Sequence, residues 1–218
     1  RGIPIVYNAH NVEADRFQGY GRVARLLATR YERKLLQGVD HTVCVSDNDR
    51  HRLCDLYGID SSRVIVLRNG YDQTHFRPFC GPEGEHKRVL SRHGIGQEGP
   101  VALFAGSYHY RPNADALHCL LTTLAPDLAR RCPELTIAFV GPGLPPLNSP
   151  PHNVIAIGEV EDVVPYLQAA DFFLCPLRFG GGSRLKIIEA LACGLPVLST
   201  DAGAEGLEDL GEESGLFR

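Results

Sequence analysis

Short apolar runs alternate with longer stretches in which apolar residues recur every three or four positions, and the alternation continues along the whole chain. The runs Ile3–Tyr7, His41–Val45 and Val64–Leu67 predict strands. Between them, the stretches near Gly21–Gln37 and Asp47–Tyr57 predict helices, the second with Ser46 as its N-cap. Asn69-Gly70-Tyr71-Asp72 is a turn sequence. From there to Gly99 the chain is polar and broken by Pro78, Gly81, Pro82, Gly84, Gly94, Gly96 and Gly99, so a domain boundary is expected near position 80. A second series follows. It predicts strands at Val101–Ala105, Leu135–Val140, Val154–Ile157, Phe172–Cys175 and Pro196–Ser199, and helices from Pro112 to Arg131, at Asp162–Ala169 and at Ser183–Cys193. Strands that are apolar throughout belong to a sheet covered on both faces. Strand alternating with helix predicts a parallel, doubly wound α/β sheet.

Composition narrows the class. At 218 residues the chain is long for one ordinary domain and short for two large ones. Hydrophobic residues make up 44% and charged residues 22%, which excludes disorder, collagen and coiled coil as overall descriptions. Twenty-two basic against 26 acidic residues give a net charge of −4, so no nucleic-acid partner is expected from bulk charge. No run reaches the ~18 apolar residues of a membrane span, and no signal peptide opens the chain. The seven cysteines (Cys44, Cys54, Cys80, Cys119, Cys132, Cys175 and Cys193) include no C-x-x-C pair, and most lie in apolar runs. Buried free thiols in a reducing, cytoplasmic compartment are the expectation. The chain has no methionine and starts at Arg1, so it is expected to be an excised piece or a processed chain.

The strongest candidate chemistry lies at Pro176–Lys186, where a strand ends, Gly180, Gly181 and Gly182 follow, and a helix starts. Glycines let backbone amides approach an anion. Ser183 can cap the helix, and Arg184 and Lys186 fall in its first turn. Cations are unfavourable at a helix N-terminus unless an anion sits there too. The plainer reading is a loop before a surface helix with two solvated basic residues. Glu189 follows Lys186 by three residues, ahead of Ala190-Leu191-Ala192. A carboxylate in an apolar stretch needs a partner; the hydroxyls of a ribose suit it, and so does a helix pair with Lys186. Helix 21–37 carries Arg22, Arg25, Arg30, Arg33 and Lys34 with a single acid, Glu32, and an apolar side of Val23, Leu26, Leu27, Tyr31, Leu35 and Leu36. Either that side packs on the sheet, or the helix makes a weak, salt-sensitive peripheral contact with anionic lipid at the inner face of a membrane. Gly141-Pro142-Gly143 lacks the third glycine of a dinucleotide fingerprint, and Pro145-Pro146 prevents a helix there. No phosphate-binding P-loop occurs, and no D-x-D triplet offers an obvious metal site.

Gly182-Ser183-Arg184-Leu185-Lys186-Ile187-Ile188-Glu189 with its continuation to Thr200, then Gly203-Ala204-Glu205-Gly206-Leu207, resembles the signature of family-4 (group 1) glycosyltransferases. Upstream, Phe104–Tyr108 with Arg111–Ala116 is similar to the opening of their donor domain. Val66–Asp72 with Phe76-Arg77-Pro78 resembles their interdomain linker, and Tyr7–Glu13 a cleft-facing loop of their acceptor domain. The ordered set covers nearly the whole chain. One departure is Gly181, which stands where many members carry the first glutamate of a pair ending at the residue matched by Glu189. That leaves the usual carboxylate contact to the donor sugar unmatched and marks a subgroup.

The resemblance implies a GT-B fold of two Rossmann-like doubly wound parallel-sheet domains, the first incomplete. Residues 1–80 would be the later part of the acceptor-side domain and the linker. Residues 81–218 would be the nucleotide-sugar-binding domain, lacking its terminal helices. It implies a glycosyltransferase of hexosyltransferase type, working in cell-envelope polysaccharide synthesis. The donor would be a UDP- or GDP-sugar and the acceptor a glycan or lipid-linked molecule, with retention of configuration and without cofactor or metal. Glu189 would bind the ribose. Arg184, Lys186 and the backbone at Gly181, Gly182 and Ser183 would hold the diphosphate, with Gly106 and Ser107 beneath it. Glu159 and Val160 would lie near the base, and His10 would face the donor sugar as the candidate catalytic residue. Glu13 is structural in this reading. The alternatives are a sugar-nucleotide epimerase of the same fold and a binding fragment without turnover. The chain by itself is expected to bind donor without transferring sugar, and to associate through apolar surface.

Overall fold

The computed structural model describes residues 2–82, 84–96, 99–180 and 184–218. Tertiary contacts divide the chain into two units. The N-terminal unit holds residues 1–70 together with 180–184 and 205–208, and the C-terminal unit holds 71–179, 185–204 and 209–218.

The N-terminal unit has a three-stranded parallel sheet in the order β1 (Val6–Ala9), β2 (His41–Cys44), β3 (Val64–Val66). Helices α1 (Glu13–Arg16), α2 (Arg22–Gln37) and α3 (Asp47–Tyr57) connect the strands. Helix α3 begins as its sequence predicts: Ser46 is extended and its side chain accepts from the Asp49 N–H. Its C-terminus is closed by Gly58 at φ 68°, a left-handed position that favours glycine. Asp47-Asn48-Asp49 is the chain's D-x-D triplet, and the helix start occupies its carboxylates. Asp49 accepts from the Ser46 hydroxyl at 2.8 Å, and Asp47 pairs with Arg50 and Arg68.

Helix α2 departs from its expected packing. Val23, Leu27 and Tyr31 are 71%, 60% and 67% exposed, so this part of the apolar side is not packed on the sheet. The helix buries Leu36 and, fully, Glu32. A buried carboxylate must be satisfied, and this one accepts from Tyr57 Oη at 2.6 Å, from the Glu13 N–H at 3.0 Å and from Tyr7 Oη at 3.4 Å. Strand β1 starts at Val6 rather than Ile3. The Ile5 N–H instead donates to Asp40 Oδ2, and Ile3 is 92% exposed.

The C-terminal unit is built on a six-stranded parallel sheet in the order β6-β5-β4-β7-β8-β9. The strands are β4 (Val101–Ala105), β5 (Thr136–Val140), β6 (Val154–Gly158), β7 (Phe172–Cys175), β8 (Val197–Ser199) and β9 (Leu216–Phe217). Every residue of β4 is buried. Strand β9 is two residues long and has no run behind it in the sequence. The polar stretch before β4 contains the short helix α4 (Arg88–Ser91), anchored by buried Leu90.

The helix expected from Pro112 to Arg131 forms as α5 (Arg111–Cys119) and α6 (Ala125–Arg131), joined by a π-helical turn at Leu120–Leu124. Pro126 is the cause. Its ring has no N–H and clashes with the carbonyl four residues earlier, so the turn before it widens. Helices α7 (Val164–Ala169) and α8 (Leu185–Ala192) complete the unit.

All seven cysteines are free thiols. Cys44, Cys175 and Cys193 are buried, while Cys80, in the polar stretch, is exposed. Burial pushes the thiols of Cys44 and Cys193 up to about 11. No helix among the described residues is long and apolar enough to cross a membrane.

Candidate functional site

Sheet order reverses between β4 and β7: from β4 the chain moves outward through β5 and β6, then returns to β7 on the other side. In an open α/β sheet that reversal leaves a crevice at the carboxyl ends of the strands. A cavity of about 190 Å³ lies there, bounded by Gly106 and Ser107 after β4, Gly141 after β5, Val160 after β6, and Lys186 and Glu189 of α8.

The backbone makes the floor. The Gly106 N–H donates to the Val140 carbonyl at 3.0 Å and the Gly141 N–H to the Gly158 carbonyl at 2.7 Å, so the three strand ends are laced together. Gly141 has φ 133°, and a Cβ on it would run into the Gly106 carbonyl, so only glycine lets these loops approach. A Cβ on Gly106 would lie 2.8 Å from both Asn113 Nδ2 and Lys186 Nζ.

Lys186 Nζ donates to Asn113 Oδ1 at 2.6 Å and lies 5.1 Å from the centroid of the Phe104 ring. Asn113 Nδ2 in turn donates to the Ser107 carbonyl at 2.7 Å. Glu189 is half-buried on the same helix. Burial pushes its carboxyl up, and the neighbouring Lys186 and, less, His75 pull the other way. His75 itself is 3.1 Å from Asp162 Oδ1, and that carboxylate also accepts from the Val164 N–H at the start of α7. The arrangement is one cation and one carboxylate on adjacent turns of a helix, above a glycine floor, with apolar walls from Val160, Val163 and Phe173. Such a pocket can receive a diphosphate at the ammonium and a diol at the carboxylate.

The residues singled out in the sequence thus fall into three groups. Gly106, Ser107, Val160, Lys186 and Glu189 come together around one cavity. Arg184 lies outside its walls: it is 4% exposed, donates to the Gly180 carbonyl at 2.8 Å and sits 3.6 Å from Glu205. Glu159 is exposed, also outside the walls. Gly181, Gly182 and Ser183 lie outside the described residues.

His10 belongs to the N-terminal unit, exposed in the loop after β1, with Asn8 Nδ2 3.2 Å from its Nε2. The loop ends at Glu13, whose N–H is held by Glu32 and whose carboxylate pairs with Arg16 at 3.3 Å. Sequence reasoning assigned nothing to Asn113 or Glu32. The signal for Asn113 was an amide in the first turn of a helix opened by proline. For Glu32 it was a lone acid in a helix rich in cations.

The family described as "Glycosyl transferases group 1" matches residues 99–217, and "Glycosyltransferase Family 4" matches residues 1–75. The chain belongs to the group 1, family-4 glycosyltransferases. Among curated relatives it is similar to D-inositol 3-phosphate glycosyltransferase 1 of Catenulispora acidiphila, 28% identical over 93% of this chain and 51% of the relative. It is also similar to the D-inositol 3-phosphate glycosyltransferase of Jonesia denitrificans (32%, over 80% and 44%) and to alpha-maltose-1-phosphate synthase of Mycolicibacterium smegmatis (25%, over 93% and 54%). The chain therefore spans about half the length of these relatives. Among solved structures it resembles Anabaena HepE in complex with UDP and glucose, with TM-score 0.72, 16% identity, and coverage of 98% of this chain and 57% of that one. A second is WaaG, a glycosyltransferase involved in lipopolysaccharide biosynthesis, with TM-score 0.63, 20% identity and coverage of 90% and 56%. These likenesses establish the fold: α/β, of GT-B type, with Rossmann-like parallel sheets.

Proposed function

We propose that the protein carrying this chain transfers a glycosyl group from a nucleoside-diphosphate sugar to an acceptor hydroxyl, with retention of configuration and without a metal ion. The observation that carries this reading is the cavity at the β4–β7 reversal, where Lys186 and Glu189 face a floor of Gly106 and Gly141. Lys186 serves the diphosphate. As the bond between the anomeric carbon and the phosphate oxygen breaks, negative charge grows on the leaving group, and a fixed ammonium stabilises it where a metal would otherwise be needed. The new bond forms to the acceptor oxygen, whose proton departs with the diphosphate. Glu189 accepts from the ribose hydroxyls, and its half-buried position strengthens those bonds. Arg184 and the segment 181–183 contribute to the diphosphate site in this reading, and His10 contacts the donor sugar.

The UDP and glucose bound by HepE favour a UDP-sugar as donor. Several relatives are named for inositol 3-phosphate, which favours a polyol phosphate over the glycan or lipid-linked acceptor expected from sequence. A peripheral membrane contact through α2 remains part of the proposal. The test is a transfer assay on the full-length protein with UDP- and GDP-sugars against inositol phosphate and lipid-linked acceptors, with and without a chelator. Transfer that survives chelation and falls in His10→Ala supports the reading. Isomerised donor without transfer replaces it with an epimerase.

A further inference from the structure

Asn113 does not line the cavity but lies behind its wall, bonded to two residues that do, Ser107 and Lys186. It is 3% exposed, in the first turn of α5, and both ends of its amide are used. Nδ2 donates to the Ser107 carbonyl at 2.7 Å, and Oδ1 accepts from Lys186 Nζ at 2.6 Å. The two hydrogen bonds tie the ammonium of α8 to the loop after β4, the Lys186–Asn113 bond alone spanning 73 residues of sequence. A lysine stem has several rotatable bonds, and fixing it before a ligand arrives removes an ordering cost from binding.

The neutral amide matters as much as the geometry. A carboxylate at this position would hold the ammonium more strongly, as an ion pair. It would also place a negative charge beside the ammonium that has to meet an anion, and like charges at close range oppose binding. The amide positions the nitrogen and adds no charge of its own. Gly106 completes the device, because a Cβ there would strike Asn113 Nδ2 and Lys186 Nζ alike.

We infer that Asn113 is a positioning residue which fixes Lys186 over Gly106–Ser107 and so sets the cavity's preference for a nucleoside diphosphate over the monophosphate and the free nucleoside. The inference rests on the proposal that this cavity takes a nucleoside-diphosphate donor.

Calorimetric titration of the full-length protein with UDP, UMP and uridine, and in parallel with GDP, GMP and guanosine, tests it. Asn113→Asp should weaken the diphosphate by about 10- to 100-fold, the range of one charged hydrogen bond. It should weaken the monophosphate less and leave the nucleoside unchanged. The diphosphate's dependence on salt should flatten at the same time. Asn113→Ala removes both hydrogen bonds without adding charge and should lower the diphosphate-to-nucleoside affinity ratio by a smaller factor. If melting shows that Asn113→Asp is unfolded, the ratio in Asn113→Ala decides the question. Equal losses for all three ligands would mean that Asn113 only shapes the fold, and that result overturns the inference, as does an unchanged ratio. A parent protein that binds none of the six ligands overturns the proposed function as well. A parent that binds the diphosphate, with a variant of unaltered preference, overturns this inference alone.

Discussion

All five residues of β4 in the C-terminal unit are buried, whereas β1 of the N-terminal unit buries only Ala9 and leaves Val6 53% exposed. Both are parallel strands, but one is sealed on both faces and the other is not. The same contrast runs through the helices. Helix α8 buries Ile187 and Ala190 and carries Lys186 and Glu189 into a defined cavity. Helix α2 leaves Val23, Leu26, Leu27 and Tyr31 exposed and buries Leu36 together with the carboxylate of Glu32. A site can be preorganised where packing fixes the element that carries it, and the cavity residues meet that condition. The loop of His10 is held by the buried side chain of Val12 and by the hold of Glu32 on the Glu13 amide, but His10 itself is exposed.

The comparison breaks most readily in the cores. Phe104→Ala, in the sealed strand, should cost about 3–5 kcal/mol in chemical denaturation, the range for a buried aromatic. Val6→Ala should stay within about 0.5 kcal/mol. Similar losses at both sites would show that β1 is as well packed as β4.

Next in size is Glu32→Ala, which orphans Tyr57 Oη and the Glu13 amide and should cost about 2–4 kcal/mol. Its pH dependence has a definite sign. Burial pushes the Glu32 carboxyl above its ordinary range, against the pull of the bonds from Tyr57 and Glu13. A carboxyl raised on folding contributes fully below its unfolded pKa, and that contribution is lost as pH rises through the folded value. Stability should therefore fall as pH rises above the ordinary carboxylate range and through the folded value. The slope should flatten in part in Glu32→Gln, because burial raises Asp49 and Glu205 in the same way. A slope unchanged in Glu32→Gln would remove Glu32 as a source.

Lys186→Ala should weaken UDP or GDP binding by about 1.5–3 kcal/mol with little change in melting temperature, separating site from fold. Glu189→Gln should weaken binding by about 1 kcal/mol for nucleotides with an intact ribose, and less for 2′-deoxy analogues. Equal losses for both sugars would make Glu189 structural. The smallest effect concerns the exposed side of α2. Co-sedimentation with anionic vesicles should exceed that with neutral ones and vanish at high salt. Equal binding to both, or none, ends the lipid reading.

Much of the C-terminal unit was legible because its strands are apolar at every position: Val101–Ala105 and Phe172–Cys175 appear at their predicted residues. Ser46 was legible because a cap is a local device. Strand β1 was misplaced because Ile3 and Ile5 are apolar, yet pairing depends on a neighbour rather than on hydrophobicity. Strand β9 escaped because two residues carry no period. At the site, glycines before a helix with a cation and a carboxylate one turn apart could be read from a line of text. The Asn113–Lys186 bond could not, since nothing local ties residues so distant. Glu32 was hidden because an acid in a basic helix looks solvated until the two phenols that bury it are known.

The Tyr57–Glu32 bond also gives the N-terminal unit an optical signature. The chain contains eight tyrosines and no tryptophan, so its near-ultraviolet spectrum is phenolic. Burial and the Glu32 contacts push Tyr7 up to about 12 and Tyr57 well above its ordinary value, and in the C-terminal unit burial alone raises Tyr108. During an alkaline titration these three rings stay dark in the phenolate absorption band beyond their ordinary range. A rise from Tyr57 or Tyr108 then follows the opening of the unit that encloses the ring, and replacing either ring with phenylalanine assigns the late absorbance to one half of the molecule without a label.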